Sequence, residues 1–184
     1  DRLGISGRNL YVLAATDLET VLQRLDEQKP AMVLVDSIQT IRSEHLTSES
    51  GTVGQIKEST RRLAAWAKAN DTPVLMSGHV TKGGDVAGPR VLEHIVDVVL
   101  YMEGDPISSW RLLRTYKNRF GSTNEVGVFE MTSKGLLDVE DPSHVFMSAR
   151  HSGSVGSVIV SVMEGSRPML VEIQALTVPS RSEE

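Results

Sequence analysis

Short apolar runs that end on polar residues, separated by helix-period segments, constrain this chain more than anything else in it. Ala31 to Val35 is continuously apolar and stops at Asp36, and Pro73 to Met76 stops at Ser77-Gly78-His79. Runs of this kind, without polar alternation, suit strands of a parallel sheet buried on both faces. Asp17 has the form of an N-cap, with Leu18, Val21, Leu22 and Leu25 following at helical spacing and Pro30 closing the segment. Ile56, Leu63 and Trp66-Ala67 line one face of a second helix that runs to about Asn70. Leu10-Tyr11-Val12-Leu13 reads as a further short strand. Two polar stretches, Ser43 to Gly54 and Thr81 to Pro89, read as loops; Val91 to Ile95 reads as a helix turn and Val96 to Met102 as a strand.

Beyond residue 100 the pattern changes to hairpins, with strands expected at Trp110 to Tyr116, Glu125 to Met131 and Gly135 to Val139. Asp141-Pro142-Ser143 marks a boundary, after which Val155 to Met163 and Pro168 to Ala175 form a last hairpin. Strand and helix alternate first, and antiparallel strands follow. This predicts an α/β fold with a mostly parallel sheet and helices on both faces. Ligands of such sheets sit outside the carboxyl ends of the strands. Asp36, His79 and the Lys117 region all fall at expected strand ends.

Composition narrows the function. A net charge of −5 excludes a surface coated in positive potential, so a nucleic-acid site must be local or built by several subunits. Aromatic residues are scarce, which leaves no stacking platform for bases in view. No apolar run approaches the roughly 20 residues that cross a bilayer. The absence of cysteine removes disulfides and thiolate metal sites and suits the cytosol. His45, His94, His144 and His151 show no ligand spacing with His79, so no histidine metal site is expected.

The chemistry-bearing residues each have two readings. Asp36, after its apolar strand, is either a carboxylate that holds a nucleotide-bound Mg²⁺ with help from Ser37, or an aspartate capping a turn. His79 is either a hydrogen-bond donor to a phosphate or a histidine bonded to nearby backbone. Lys117 and Arg119 stand one residue apart in Lys117-Asn118-Arg119-Phe120-Gly121, at the end of the run Trp110 to Tyr116. On a strand they project to the same side, where paired cations either grip a phosphate or guard an edge strand. Phe120-Gly121 is expected to pack and turn the strand so that the cations are aimed. Glu58, Arg61 and Arg62 read as a solvated helix face with i,i+4 pairing, and Trp66 and Trp110 as packing. Asp97 and Glu103 are assigned no chemistry.

The KNRFG run at 117–121 resembles a signature of the RadA (Sms) family, bacterial RecA-like ATPases of recombinational DNA repair. The likeness extends through Val33 to Thr40, Gly78 to Lys82, Gly88 to His94 and Glu164 to Pro168. The order of these motifs is more specific than any one of them. The resemblance implies a RecA-like P-loop core over residues 1–150, truncated at its N-terminus, and the opening hairpin of a Lon-protease-like domain over 151–184. It implies that Asp36 is the Walker B carboxylate and His79 a γ-phosphate sensor. It further implies that Lys117 and Arg119 reach the triphosphate of a neighbouring subunit. The two polar loops fall where RecA-like proteins contact DNA, with Lys82, Arg90 and Lys57 as the phosphate-binding cations. The implied cofactors are ATP and Mg²⁺, with zinc confined to a cysteine-rich finger upstream. The implied partners are single-stranded and branched DNA, a RecA-type recombinase, and further copies in a homo-oligomeric, hexameric ring in the cytoplasm.

One expected motif is missing. No GxxxxGK[ST] phosphate loop occurs in the chain, and the resemblance places it upstream of residue 1. The chain is therefore read as a fragment that by itself binds ATP poorly and hydrolyses it negligibly. Three alternatives stay open: a regulatory RecA-fold ring that does not translocate on DNA, a non-catalytic interaction module, and a peptidase suggested by the last hairpin. For the last, no Ser–Lys pair can be assigned.

Overall fold

The computed structural model describes residues 7–79, 92–104, 109–141, 143, 156–175 and 177. They belong to two compact units, one reaching to Val99 and the other running from Leu100 onward.

The first unit is built on a parallel pair of strands, β1 (Val33–Val35) and β2 (Val74–Met76), with Val33 opposite Val74 and Val35 opposite Met76. Helix α1 (Leu18–Gln28) starts where expected, because the Asp17 carboxylate accepts from the Thr20 N–H at 2.8 Å. It ends at Lys29, which adopts the left-handed conformation. Helix α2 (Val53–Ala69) turns Ile56, Leu63 and Trp66 inward. These join Leu18, Val21, Ile38 and Ile41 in the buried core, with Val35 and Met76 packed against it. Two polar links tie the helices together: the Trp66 indole N–H donates to Asp26 at 2.6 Å, and Arg62 pairs with Glu19.

Two expectations for this unit are corrected. Leu34 is 67% exposed and Leu75 is exposed beside it, so β1 is covered on one face only among the described residues. The strands alternate in burial because α1, α2 and the 3₁₀ turn Ile38–Thr40 supply cover on one side. Leu10 to Leu13 forms no strand. Val12 is 89% exposed, and an isolated apolar tetrapeptide has no ladder to join here. Residues 16–18 instead bridge in parallel to Arg42.

The pairings along Trp110–Asp138 and Ser157–Gln174 in the second unit are antiparallel. Strands β3 (Val98–Gly104), β4 (Trp110–Asn118), β5 (Val126–Thr132) and β6 (Gly135–Asp138) lie in that order in one sheet. The hairpin β7 (Ser157–Glu164) and β8 (Arg167–Gln174) forms another. Leu112 stands opposite Val128, and Met169 and Val162 of the hairpin join Val128, Val139 and Trp110 in a small core. The hairpin pattern expected from the sequence is present, with strand ends within about two residues of their expected places.

Candidate nucleotide and strand-contact site

The carboxyl ends of β1 and β2 lie side by side, because a parallel register brings both chains out at one edge. Asp36 leaves β1 there with its carboxylate exposed, and accepts a hydrogen bond from the Ser77 hydroxyl at 2.6 Å. Ser77 in turn pairs with the ends of both segments, its N–H donating to Val35 and its carbonyl accepting from Ile38. Ser37 is buried, and its carbonyl accepts from the Thr40 hydroxyl. The Asp36–Ser37 peptide is cis. Gln39 reaches across to donate to the His79 carbonyl at 3.2 Å, while His79 itself is exposed. Among these residues, sequence reading passed over Ser77 and Gln39. Their positions at the ends of apolar strands were the available signal; the contacts are 41 and 40 residues apart in the chain and cannot be read from spacing.

The connection from Ser43 to Thr52 is largely exposed as expected, apart from Ser43, but it is held from beneath. Ser43 is buried, and the carboxamide of Gln55, only 1% exposed, holds the loop by four hydrogen bonds. Its oxygen accepts from the Ser43 N–H at 2.8 Å, and its nitrogen donates to the carbonyls of Ser43, Leu46 and Ser48. Gln55 escaped sequence reading because a glutamine at a helix start looks solvent-facing. Glu19 anchors the other side, accepting from Arg62 and from the Ser43 hydroxyl, with His45 Nε2 at 3.4 Å. Burial pushes the Glu19 carboxyl up, and the hydrogen bonds and charge of Arg62, with Ser43, more than offset this, leaving it below its ordinary value. Arg62 is thus an inter-helix tie rather than part of a solvated face, whereas Arg61 pairs with Glu58 one turn away at i,i+3. Lys57 is exposed on α2. Lys82 and Arg90 lie outside the described residues.

Lys117 and Arg119 belong to the second unit. Lys117 is half-buried in β4, but the strand ends at Asn118, so Arg119 lies beyond the alternation that was expected to align the pair. The Asn118 side chain causes the change. Its oxygen accepts from the Phe120 N–H at 3.0 Å and its nitrogen donates to the Ser122 carbonyl at 3.3 Å, so local bonds replace the ladder. Phe120 is 80% exposed and does not pack. The local turn is held by Asn118 rather than by packing of Phe120. Arg114 pairs with Glu103 at 3.0 Å, and Tyr116 meets Tyr101 edge to face.

Among the described residues, no group of three or more histidine, cysteine or acidic side chains has the spacing of a metal site, and no helix is long and apolar enough to cross a membrane.

The fold is of the RecA-like α/β class. It matches a solved structure described as an ATPase domain with a TM-score of 0.56, at 15% identity, over 71% of this chain and 54% of that one. Sequence comparison takes the likeness further: along nearly its whole length the chain is similar to curated proteins named DNA repair protein RadA. It is 51% identical to the DNA repair protein RadA of Bacillus subtilis over 180 residues, which is 98% of this chain and 39% of that protein. Identity to the DNA repair protein RadA of Listeria monocytogenes is 52%, again over 98% of this chain and 39% of that protein. The chain thus spans about two fifths of the length of these curated relatives. No family model matches the chain.

Proposed function

We propose that the intact protein is an ATP-driven DNA repair motor that binds single-stranded and branched DNA and moves recombination intermediates, assembled as a homo-oligomeric ring. The observation that carries this reading is the Asp36 carboxylate at the end of β1, oriented by the Ser77 hydroxyl at 2.6 Å from the neighbouring parallel strand. An exposed carboxylate beside hydroxyl oxygens is a donor set suited to Mg²⁺, which is held by few protein oxygens together with water and phosphate. Bound there, the ion would neutralise charge on the nucleotide phosphates. Asp36 would hold it with Ser37, and Ser77 would keep the carboxylate from rotating. His79, exposed past the end of β2, would donate to the terminal phosphate.

Lys117 and Arg119 would face the nucleotide of an adjoining protomer and stabilise charge that develops on the transferring phosphoryl group. Lys57, Lys82 and Arg90 would contact strand phosphates from the two polar loops. On this reading residues 1–150 belong to the ATPase domain and 151–184 open a Lon-protease-like one. The ring has six members, works in the cytoplasm and cooperates with a RecA-type recombinase. Zinc belongs to a finger outside this chain.

Steady-state ATP hydrolysis by the intact protein, with and without single-stranded DNA, tests the reading. Turnover should require Mg²⁺, rise with DNA and be lost in Asp36→Ala. Strand affinity should fall steeply with salt as counterions are released. Full turnover in Asp36→Ala overturns the assignment of the site. A salt-insensitive or absent strand interaction overturns the motor and favours a regulatory ring.

A further inference from the structure

The loop that presents Lys117 and Arg119 is a long excursion from its hairpin. The β4–β5 ladder runs from Trp110 opposite Glu130 to Arg114 opposite Val126, with a last rung from the Thr115 N–H to the Glu125 carbonyl at 3.4 Å. Between those ends, the loop uses side chains to bond to its own backbone. Asn118 binds Phe120 and Ser122, and the Ser122 hydroxyl accepts from the Asn124 N–H at 3.0 Å. Such bonds, exposed to water, hold a loop shape weakly.

The turn of the β7–β8 hairpin is pressed against the far end of this loop. The Ser166 N–H donates to the Asn124 carbonyl at 2.7 Å, and the Ser166 hydroxyl donates to the Glu125 carboxylate at 3.2 Å. Gly165 takes the first place of this two-residue turn with a φ of 63°, a place that glycine fills without strain. The turn also lies close against Asn124: a Cβ added to Gly165 would run into the Asn124 carbonyl oxygen. The hairpin itself is anchored, because Met169 and Val162 pack on Val128 and Trp110 of the β3–β6 sheet. A continuous path therefore leads from the small core, through the hairpin turn, to Asn124, Ser122 and Asn118, which lies between the two cations.

We propose that Gly165 and Ser166 are positioning residues for Lys117 and Arg119, so that a displacement of the C-terminal hairpin re-aims the cations. The hairpin turn then serves as a control point through which a ligand or partner of the following domain modulates ATP turnover. This rests on the reading that Lys117 and Arg119 act on a nucleotide, and the experiment separates the two.

Amide hydrogen exchange and steady-state ATP hydrolysis are measured on the intact protein carrying Gly165→Ala, Ser166→Ala or Arg119→Ala. Gly165→Ala should speed exchange at the Phe120 and Asn124 amides about tenfold or more while the Leu112 and Val128 ladder stays protected. It should lower kcat by up to about 10²-fold with nucleotide KM unchanged, the mark of misplaced groups rather than lost binding. Ser166→Ala keeps the backbone contact and should give about a threefold effect in each readout. If Gly165→Ala does not fold, Ser166→Ala decides. Unchanged exchange in the folded variant, or faster exchange with unchanged kcat while Arg119→Ala is impaired, overturns the proposal. Unchanged kcat in Arg119→Ala overturns the underlying reading and the proposal with it.

Discussion

The connection from Ser43 to Thr52, expected to be a strand-contacting loop, and the one from Arg119 to Asn124, at the end of the run expected to carry paired cations on a strand, are held by different means. The first is fixed from inside: the buried Gln55 carboxamide takes four hydrogen bonds to its backbone, and Glu19 with Arg62 closes the other side. The second is fixed from its own surface, through the exposed contacts of Asn118 and Ser122, and from one end by the Ser166 turn. Hydrogen bonds shielded from water are costly to break, because the groups left behind are buried and unsatisfied. Those at a surface are readily exchanged for water. The pinned loop offers a preformed surface. The loop after β4 rests in part on bonds that water can replace.

The largest expected effect lies at the second loop. Lys117→Ala or Arg119→Ala in the intact protein should lower ATP turnover by about 10³-fold or more, if the cations act on the transferring phosphoryl group. Steady-state hydrolysis checks this, and a near-normal rate would leave the loop after β4 without a part in turnover. Next comes the platform beneath the pinned loop. Leu63 is fully buried on α2, and Leu63→Ala should cost about 2–5 kcal/mol in urea unfolding, because it leaves a cavity in the only core that supports both helices among the described residues.

Gln55→Leu keeps the volume but strands the buried Ser43 N–H and carbonyl, and should cost about 1–3 kcal/mol, with faster amide exchange at Ser43. Asn118→Ala should cost less than this, since water replaces its bonds. Equal losses would erase the contrast between the loops. The smallest effect concerns pH. The Glu19 carboxyl titrates below its ordinary value in the folded chain, so its contribution is complete above the unfolded value and disappears as pH falls through the folded one. Acid titration of stability should therefore show a shallower decline in Glu19→Gln; an identical acid limb would show that the Arg62 tie contributes nothing.

Much of this was legible in the chain. The Asp17 cap, the inward face of α2 and the hairpin periodicity after residue 100 follow from local rules, because N-caps and amphipathic periods are properties of neighbouring residues. Phe120 illustrates the limit. An aromatic beside a glycine reads as packing, yet it is exposed, and the neighbouring Asn118 makes the turn instead. Arg62 was misread for a related reason: its position beside Glu58 suggested a surface pair, while its partner is Glu19 on another helix. Lys82 and Arg90 are outside the described residues, so their role stands as proposed.

The sequence by itself determined most of the helices and strands to within about two residues, and which residue types stand at strand ends, since periodicity, capping and turn chemistry act over a few residues. Only the tertiary structure decided that Ser77 orients Asp36, that Gln55 closes the loop from Ser43, and that Gly165 lies under Asn124. Each joins residues brought close by strand register or packing, and no local pattern encodes a pairing whose geometry exists only after the chain has folded back on itself.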